Sequence, residues 1–98
     1  MNINLNQDEK KVALEVEGRL DTTTAPELEE TIANCIEGTE ELVFDFANLE
    51  YISSAGLRVL LAAQKKMNKQ GTMIIRNAND VIMEVFEITG FVDILTIE

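Results

Sequence analysis

Residues 11–18, KVALEVEG, place apolar side chains at every second position, whereas residues 24–38, TAPELEETIANCIEG, repeat theirs every third or fourth. That switch of period, from two to about 3.6, is the strongest constraint in the chain: a half-buried strand hands over directly to an amphipathic helix. Thr24 and Glu27 spell a capping box, Pro26 suits the first turn and Gly38 the stop, which predicts a helix over about 25–37. Glu27, Glu29 and Glu30 fall near the positive end of its dipole. Leu28, Ile32, Cys35 and Ile36 form its apolar stripe, so Cys35 reads as core rather than as a reactive thiol.

The same handover recurs down the chain. ELVFDF (41–46) is nearly continuous in apolar character, as for a strand covered on both faces. After ANLEYI and SSAG comes a helical run in which Leu57, Leu60, Leu61, Gln64 and Met67 share a face, and Gly71 fits its stop. TMIIR (72–76) is a strand, and 77–90 reads as a helix capped by Asn79 or Asp80 with Ile82, Val85, Phe86 and Ile88 inward. FVDILTI (91–97) is expected as a closing strand, and INLN (3–6) with the turn QDEK as an opening hairpin. The order ββαβαβαβ predicts one α/β domain over 1–98: a mixed, mostly parallel β-sheet with an antiparallel N-terminal edge and three or four α-helices. Functional residues then belong at the carboxyl ends of the parallel strands, where the DTTTA and SSAG turns fall.

Composition removes several kinds of chemistry. The 98 residues hold 18 acids, 8 bases and no histidine, a net charge of −10. Such a charge repels phosphate backbones and anionic membrane, so neither nucleic acid nor a membrane is expected as a partner. The commonest general base and metal ligand is missing, and one cysteine makes neither a disulfide nor a thiolate zinc site. No catalytic residue, metal or cofactor is therefore expected. The longest apolar run, Val59 to Ala63, is too short to cross a bilayer, and the start shows no secretory h-region, which predicts a cytoplasmic domain.

Ser53 and Ser54 stand where a helix cap is ordinarily found. Ser54, Ala55 and Gly56 match the last letters of a nucleophile elbow, but Ile52 replaces its first glycine and no histidine serves as base. No nucleotide-cradling glycine motif occurs, although a helix N-terminus behind small residues can hold an anion. Asp45 sits where a receiver domain carries its phosphorylated aspartate, but no lysine follows Arg76, and the simpler role is hydrogen bonding to nearby loop amides. Arg58, Lys65, Lys66 and Lys69 read first as a solvated helix face.

DFANLEYISSAGLRVLL resembles the signature of the STAS domain, in particular of stand-alone bacterial anti-sigma factor antagonists. EGRLDTTTAPELEETI is similar to the family's strand–Asp–helix segment, and FEITGFVDIL to its Phe-x-x-x-Gly ending. The resemblance implies a non-enzymatic partner switch. The unphosphorylated antagonist would bind an anti-sigma factor that is also a serine kinase, freeing a sigma factor; phosphorylation would end the binding and a phosphatase restore it. Aligning Gly56 and Leu57 with the family pattern Asp-Ser-[Ser/Thr]-Gly-Leu implies Ser54 as phosphoacceptor. Ser53 then replaces the usual aspartate and is a rival acceptor. The implied partner-binding residues are Asp21, Thr22, Thr23, Asp45, Ser53, Ser54, Gly56 and Leu57. An alternative within the family is a sensory module that binds a nucleotide or another small anion at the same helix end.

Overall fold

A computed structural model describes all residues from Met1 to Glu98. Its elements are β1 (Asn2–Asp8), β2 (Lys11–Leu20), α1 (Ala25–Cys35), β3 (Glu41–Asp45), β4 (Leu49–Ile52), α2 (Ser54–Met67), β5 (Thr72–Arg76) and α3 (Asp80–Thr89). A short 3-10 turn, Phe91–Asp93, follows α3. No helix is long and apolar enough to cross a membrane.

The mixed α/β architecture expected from the alternating periods is present. β1 pairs antiparallel with β2, and β2, β3 and β5 run parallel in the order β1-β2-β3-β5. Val12, Leu14, Val16 and Leu20 of β2 point to one face, where they meet Leu28 and Ile32 of α1, Leu57 and Leu60 of α2, and Ile82 and Phe86 of α3 in one continuous core. Each such fully buried aliphatic or aromatic side chain contributes about 1.5–3 kcal/mol relative to exposure. Inside the core the Phe44 and Phe46 rings lie tilted, with centroids 5.8 Å apart. The alignment of β3 with β5 depends on Gly71, because a Cβ there would run into the Glu40 carbonyl that accepts from the Thr72 amide at 2.9 Å.

Several expectations are corrected. LEYI is a strand: β4 pairs parallel with the far end of β2, Gly18–Leu20, past a register shift at Gly18/Arg19. FVDILTI is not a strand, because Gly90 ends α3 with φ 81 and a tight turn follows; only Ile97 returns to the sheet, in a single parallel bridge to Ile75. The opening turn is only Glu9–Lys10, since Asp8 already pairs with Lys11 and Gln7 with Val12. β3 is buried at successive residues Leu42, Val43 and Phe44, as its continuous apolar run predicts, although Val43 stands outside the core cluster, in register with half-buried Ala13 and Ile74. Helix α1 stops at Cys35 and α2 at Met67, short of Gly38 and Gly71. Ile88 points outward from α3.

The capping box at α1 is also absent. The Thr24 hydroxyl donates to the Arg19 carbonyl at 2.8 Å and accepts from the Asp21 amide at 2.9 Å. It is therefore occupied by the preceding loop instead of the helix amides that a cap would satisfy.

Candidate functional site

Two chain segments meet at the end of β2 and β4. The Ser53 amide donates to the Leu20 carbonyl at 2.9 Å, which fixes the start of α2 beside the β2–α1 loop. That loop is organised by Asp21. Its carboxylate accepts from the Thr23 hydroxyl at 2.7 Å and from the Thr23 and Thr24 amides at 3.0 and 3.3 Å. The Thr23 hydroxyl bond, with these amide bonds, holds the Asp21 carboxyl below the usual aspartate range. Asp21 and Thr23 thus satisfy each other, and exposed Thr22 is the loop residue left free to face outward.

The helix end differs sharply between its two serines. Ser53 is the N-cap with extended backbone (φ −101, ψ 177), but its side chain caps nothing, and its Oγ is buried without a hydrogen-bond partner. Ser54, the first helical residue, is exposed. Gly56 is pressed against the sheet: a Cβ there would lie 2.7 Å from Leu20 Cγ and 2.9 Å from Ile52 Cγ1. Leu57 is only 6% exposed and belongs to the core. Gly56 and Leu57 therefore hold the helix end in place and present no side chain to a partner.

Helix α2 has no acidic residue in its first turn and no side-chain cap, and exposed Arg58 follows exposed Ser54 by four residues on the same side. Thr22, Ala25, Pro26, Glu29, Ala55, Arg58 and Val59 line an open cleft of about 230 Å³ between the starts of α1 and α2. The structure thus brings Thr22 alongside Ala55 and Arg58. It does not bring Asp45 there. Asp45 pairs with Glu15, whereas Ile52 pairs with Leu20, five residues further along β2 or roughly 16 Å at strand spacing. The Asp45 carboxylate accepts from the Ala47 amide at 3.0 Å and the Asn77 side-chain amide at 3.1 Å, tying two loops together.

Missing β4 in the sequence also hid a surface pair. Arg19 and Tyr51 are register partners across β2 and β4, and the Arg19 guanidinium lies 4.2 Å from the centre of the exposed Tyr51 ring. Such a stacked pair is worth about 0.5–1 kcal/mol at an exposed site. Leu49-Glu50-Tyr51-Ile52 buries only its two ends and shows no period-two alternation, and four residues are too few to separate a strand from a loop.

The STAS domain family model matches residues 2–98. The anti-sigma-B factor antagonist of Staphylococcus aureus is 32% identical over 97 residues, covering 97% of this chain and 90% of its own length. Among solved structures, the anti-sigma factor antagonist SpoIIAA in its unphosphorylated form superposes with a TM-score of 0.85 at 18% identity, over 99% of this chain and 88% of that one. The Bacillus SpoIIAA in its phosphorylated form gives 0.77, also at 18%, over 99% and 91%. A family model spanning almost every residue and a relative matched along nearly its whole length lead to one conclusion: this chain belongs to the STAS domain family, with anti-sigma factor antagonists as its relatives.

Proposed function

We propose that this chain is a regulatory binding module and not an enzyme: an anti-sigma factor antagonist switched by phosphorylation of Ser54. Unphosphorylated, it binds an anti-sigma factor that is also a serine kinase, so that a sigma factor is released in the cytoplasm. The kinase moves the γ-phosphoryl group of its ATP to Ser54 Oγ, ADP leaves, and the hydroxyl proton passes to the kinase's own base. A cognate phosphatase hydrolyses the ester and resets the switch. The observation that carries this reading is the exposure of Ser54 at an uncapped helix start, beside a serine whose hydroxyl is buried.

The physical consequence of the modification is local. A phosphate brings about −1.5 to −2 charges to a helix N-terminus, where it is favoured by about 0.3–1 kcal/mol. Arg58, one turn on, is placed to pair with it. The fold therefore persists, and binding ends because the new charge stands where the partner must pack against Thr22, Ser54 and Ala55. A large loss of helical circular dichroism in the phosphoprotein would contradict this.

The test is co-expression with candidate anti-sigma kinases and intact-mass measurement of the wild type, Ser53→Ala and Ser54→Ala. One phosphate on the wild type and on Ser53→Ala, with none on Ser54→Ala, is expected. A phosphate that survives Ser54→Ala and vanishes in Ser53→Ala would move the switch to the rival serine. The uncapped amides of α2 also favour a second reading, a sensor of a nucleotide or small anion. Submillimolar binding of GTP or ATP to the isolated chain by calorimetry would select it.

A further inference from the structure

Helix α3 buries Ile82 and Phe86 against the core, yet leaves two large aliphatic side chains in solvent. Val81 is 56% exposed and Ile88 78% exposed. Seven residues apart on one helix, they share a face with half-buried Val85 between them, at positions i, i+4 and i+7. Val85 also packs against the core from its buried side, whereas Val81 and Ile88 do not join it. Exposed aliphatic side chains grouped on one helix face mark an interaction site more often than a solitary exposed residue does. The segment after α3 adds Val92 and Ile94, 40% and 45% exposed.

The charge along this segment of the chain is of one sign. Asp80, Glu84 and Glu87 lie on the same helix and Asp93 on the turn that follows, while no lysine or arginine occurs between Asn77 and Glu98. An apolar stripe framed only by carboxylates is complementary to an apolar anchor framed by ammonium or guanidinium groups. Two copies of this chain meeting face to face about a two-fold axis would set these carboxylates against their own copies, with no base in the segment to offset them. An anionic lipid surface is repelled for the same reason.

We infer that the Val81–Val85–Ile88 stripe of α3 is a docking surface for another protein that presents an apolar anchor ringed by lysine or arginine side chains. It is separate from the start of α2: α3 packs on β4 and on its own following turn, and the stripe uses none of the residues assigned to the Ser54 switch. The two surfaces are therefore able to work at once. The acidic frame speeds encounter with a basic partner, and the aliphatic stripe sets how long the complex lasts.

The test places a photo-crosslinking amino acid at position 88 of the full chain in the cells that make it, with a control at exposed Glu30 on α1. The expected result is an adduct with another protein, formed at position 88 well above the control. That protein, purified, should bind the wild-type chain, bind Ile88→Asn at least about tenfold more weakly, and bind Ser54→Glu as it binds the wild type. Its affinity should also fall as salt rises from about 50 to about 300 mM, as expected when the Debye length shortens. A crosslink to a second copy of this chain would overturn the inference. So would a yield no higher than at position 30, a partner indifferent to Ile88→Asn or to salt, or binding lost in Ser54→Glu. Ile88→Asn changes an exposed side chain, and an unchanged circular dichroism spectrum distinguishes lost docking from lost folding.

Discussion

Helices α2 and α3 both start from a residue with extended backbone, Ser53 with ψ 177 and Asn79 with ψ 175, and are then finished in opposite ways. Asn79 accepts from the Ile82 amide at 2.9 Å and donates to the Leu49 carbonyl at 2.9 Å, so one side chain caps α3 and ties it to β4. Asp80 adds a negative charge to the same first turn. At α2 the equivalent hydroxyl caps nothing, and no acid follows. Both starts are fastened to the fold, α2 by the Ser53 amide, but only α3 has its first turn capped, and the uncapped start of α2 keeps its positive dipole end open to what arrives from outside. In a protein of net charge −10 that vacancy is a local exception to the prevailing sign.

Perturbing each start separately sharpens this contrast. The largest effect is expected from Ser54→Glu: binding to the anti-sigma partner should fall about 100-fold, or about 2.8 kcal/mol, with an unchanged melting temperature. Titration calorimetry together with thermal unfolding reads both. Gly56→Ala drives a methyl group into Leu20 and Ile52 and should cost about 1–3 kcal/mol of stability, read from urea unfolding. Asn79→Ala should cost about 1–2 kcal/mol through the lost cap, whereas Ser53→Ala should stay within about 0.5 kcal/mol of wild type. An equal cost at both positions would erase the distinction between the two starts.

The smallest effect belongs to Asp21. Its carboxyl titrates lower in the folded protein than in the unfolded chain, so its contribution is full above the ordinary aspartate pKa of about 3.9 and fades as pH falls through the lower folded value. Asp21→Asn should therefore melt below wild type at pH 7, and the gap should close in the acid range below about pH 4. A gap that widened in acid would mean that the loop is held by something other than the ionised carboxylate.

Periodicity made the three helices and strands β2, β3 and β5 legible, because each is long or apolar enough to declare its repeat. Failures came where the decisive partner is remote in sequence. LEYI becomes a strand because Gly18–Leu20 overhang the main ladder and need a neighbour. FVDILTI does not, because Gly90 turns the chain so that only its end, at Ile97, reaches β5. Ile88 matched the helical repeat of α3 but lies beyond the edge of what the sheet covers. The Thr24 and Glu27 pattern was spelled correctly, yet Arg19 claimed the hydroxyl first. Ser53 and Ser54 are the same residue type side by side, and only the Leu20 carbonyl, by fixing the Ser53 amide, shows which hydroxyl is buried.

Strand β2 is ten residues long and serves two neighbours in succession, β3 along Lys11–Glu15 and β4 along Gly18–Leu20. Its second stretch is fastened by a short ladder, whereas its first lies between β1 and β3. Opening of the rim thus need not unzip the sheet. Amide hydrogen exchange should reveal two tiers, with the Ser53 amide trading its proton sooner than those of Val43 or Phe44. Under the proposed switch, a kinase acting on Ser54 would then engage the less protected end of β2 and β4, and the β1–β2–β3–β5 ladder would register little of the event.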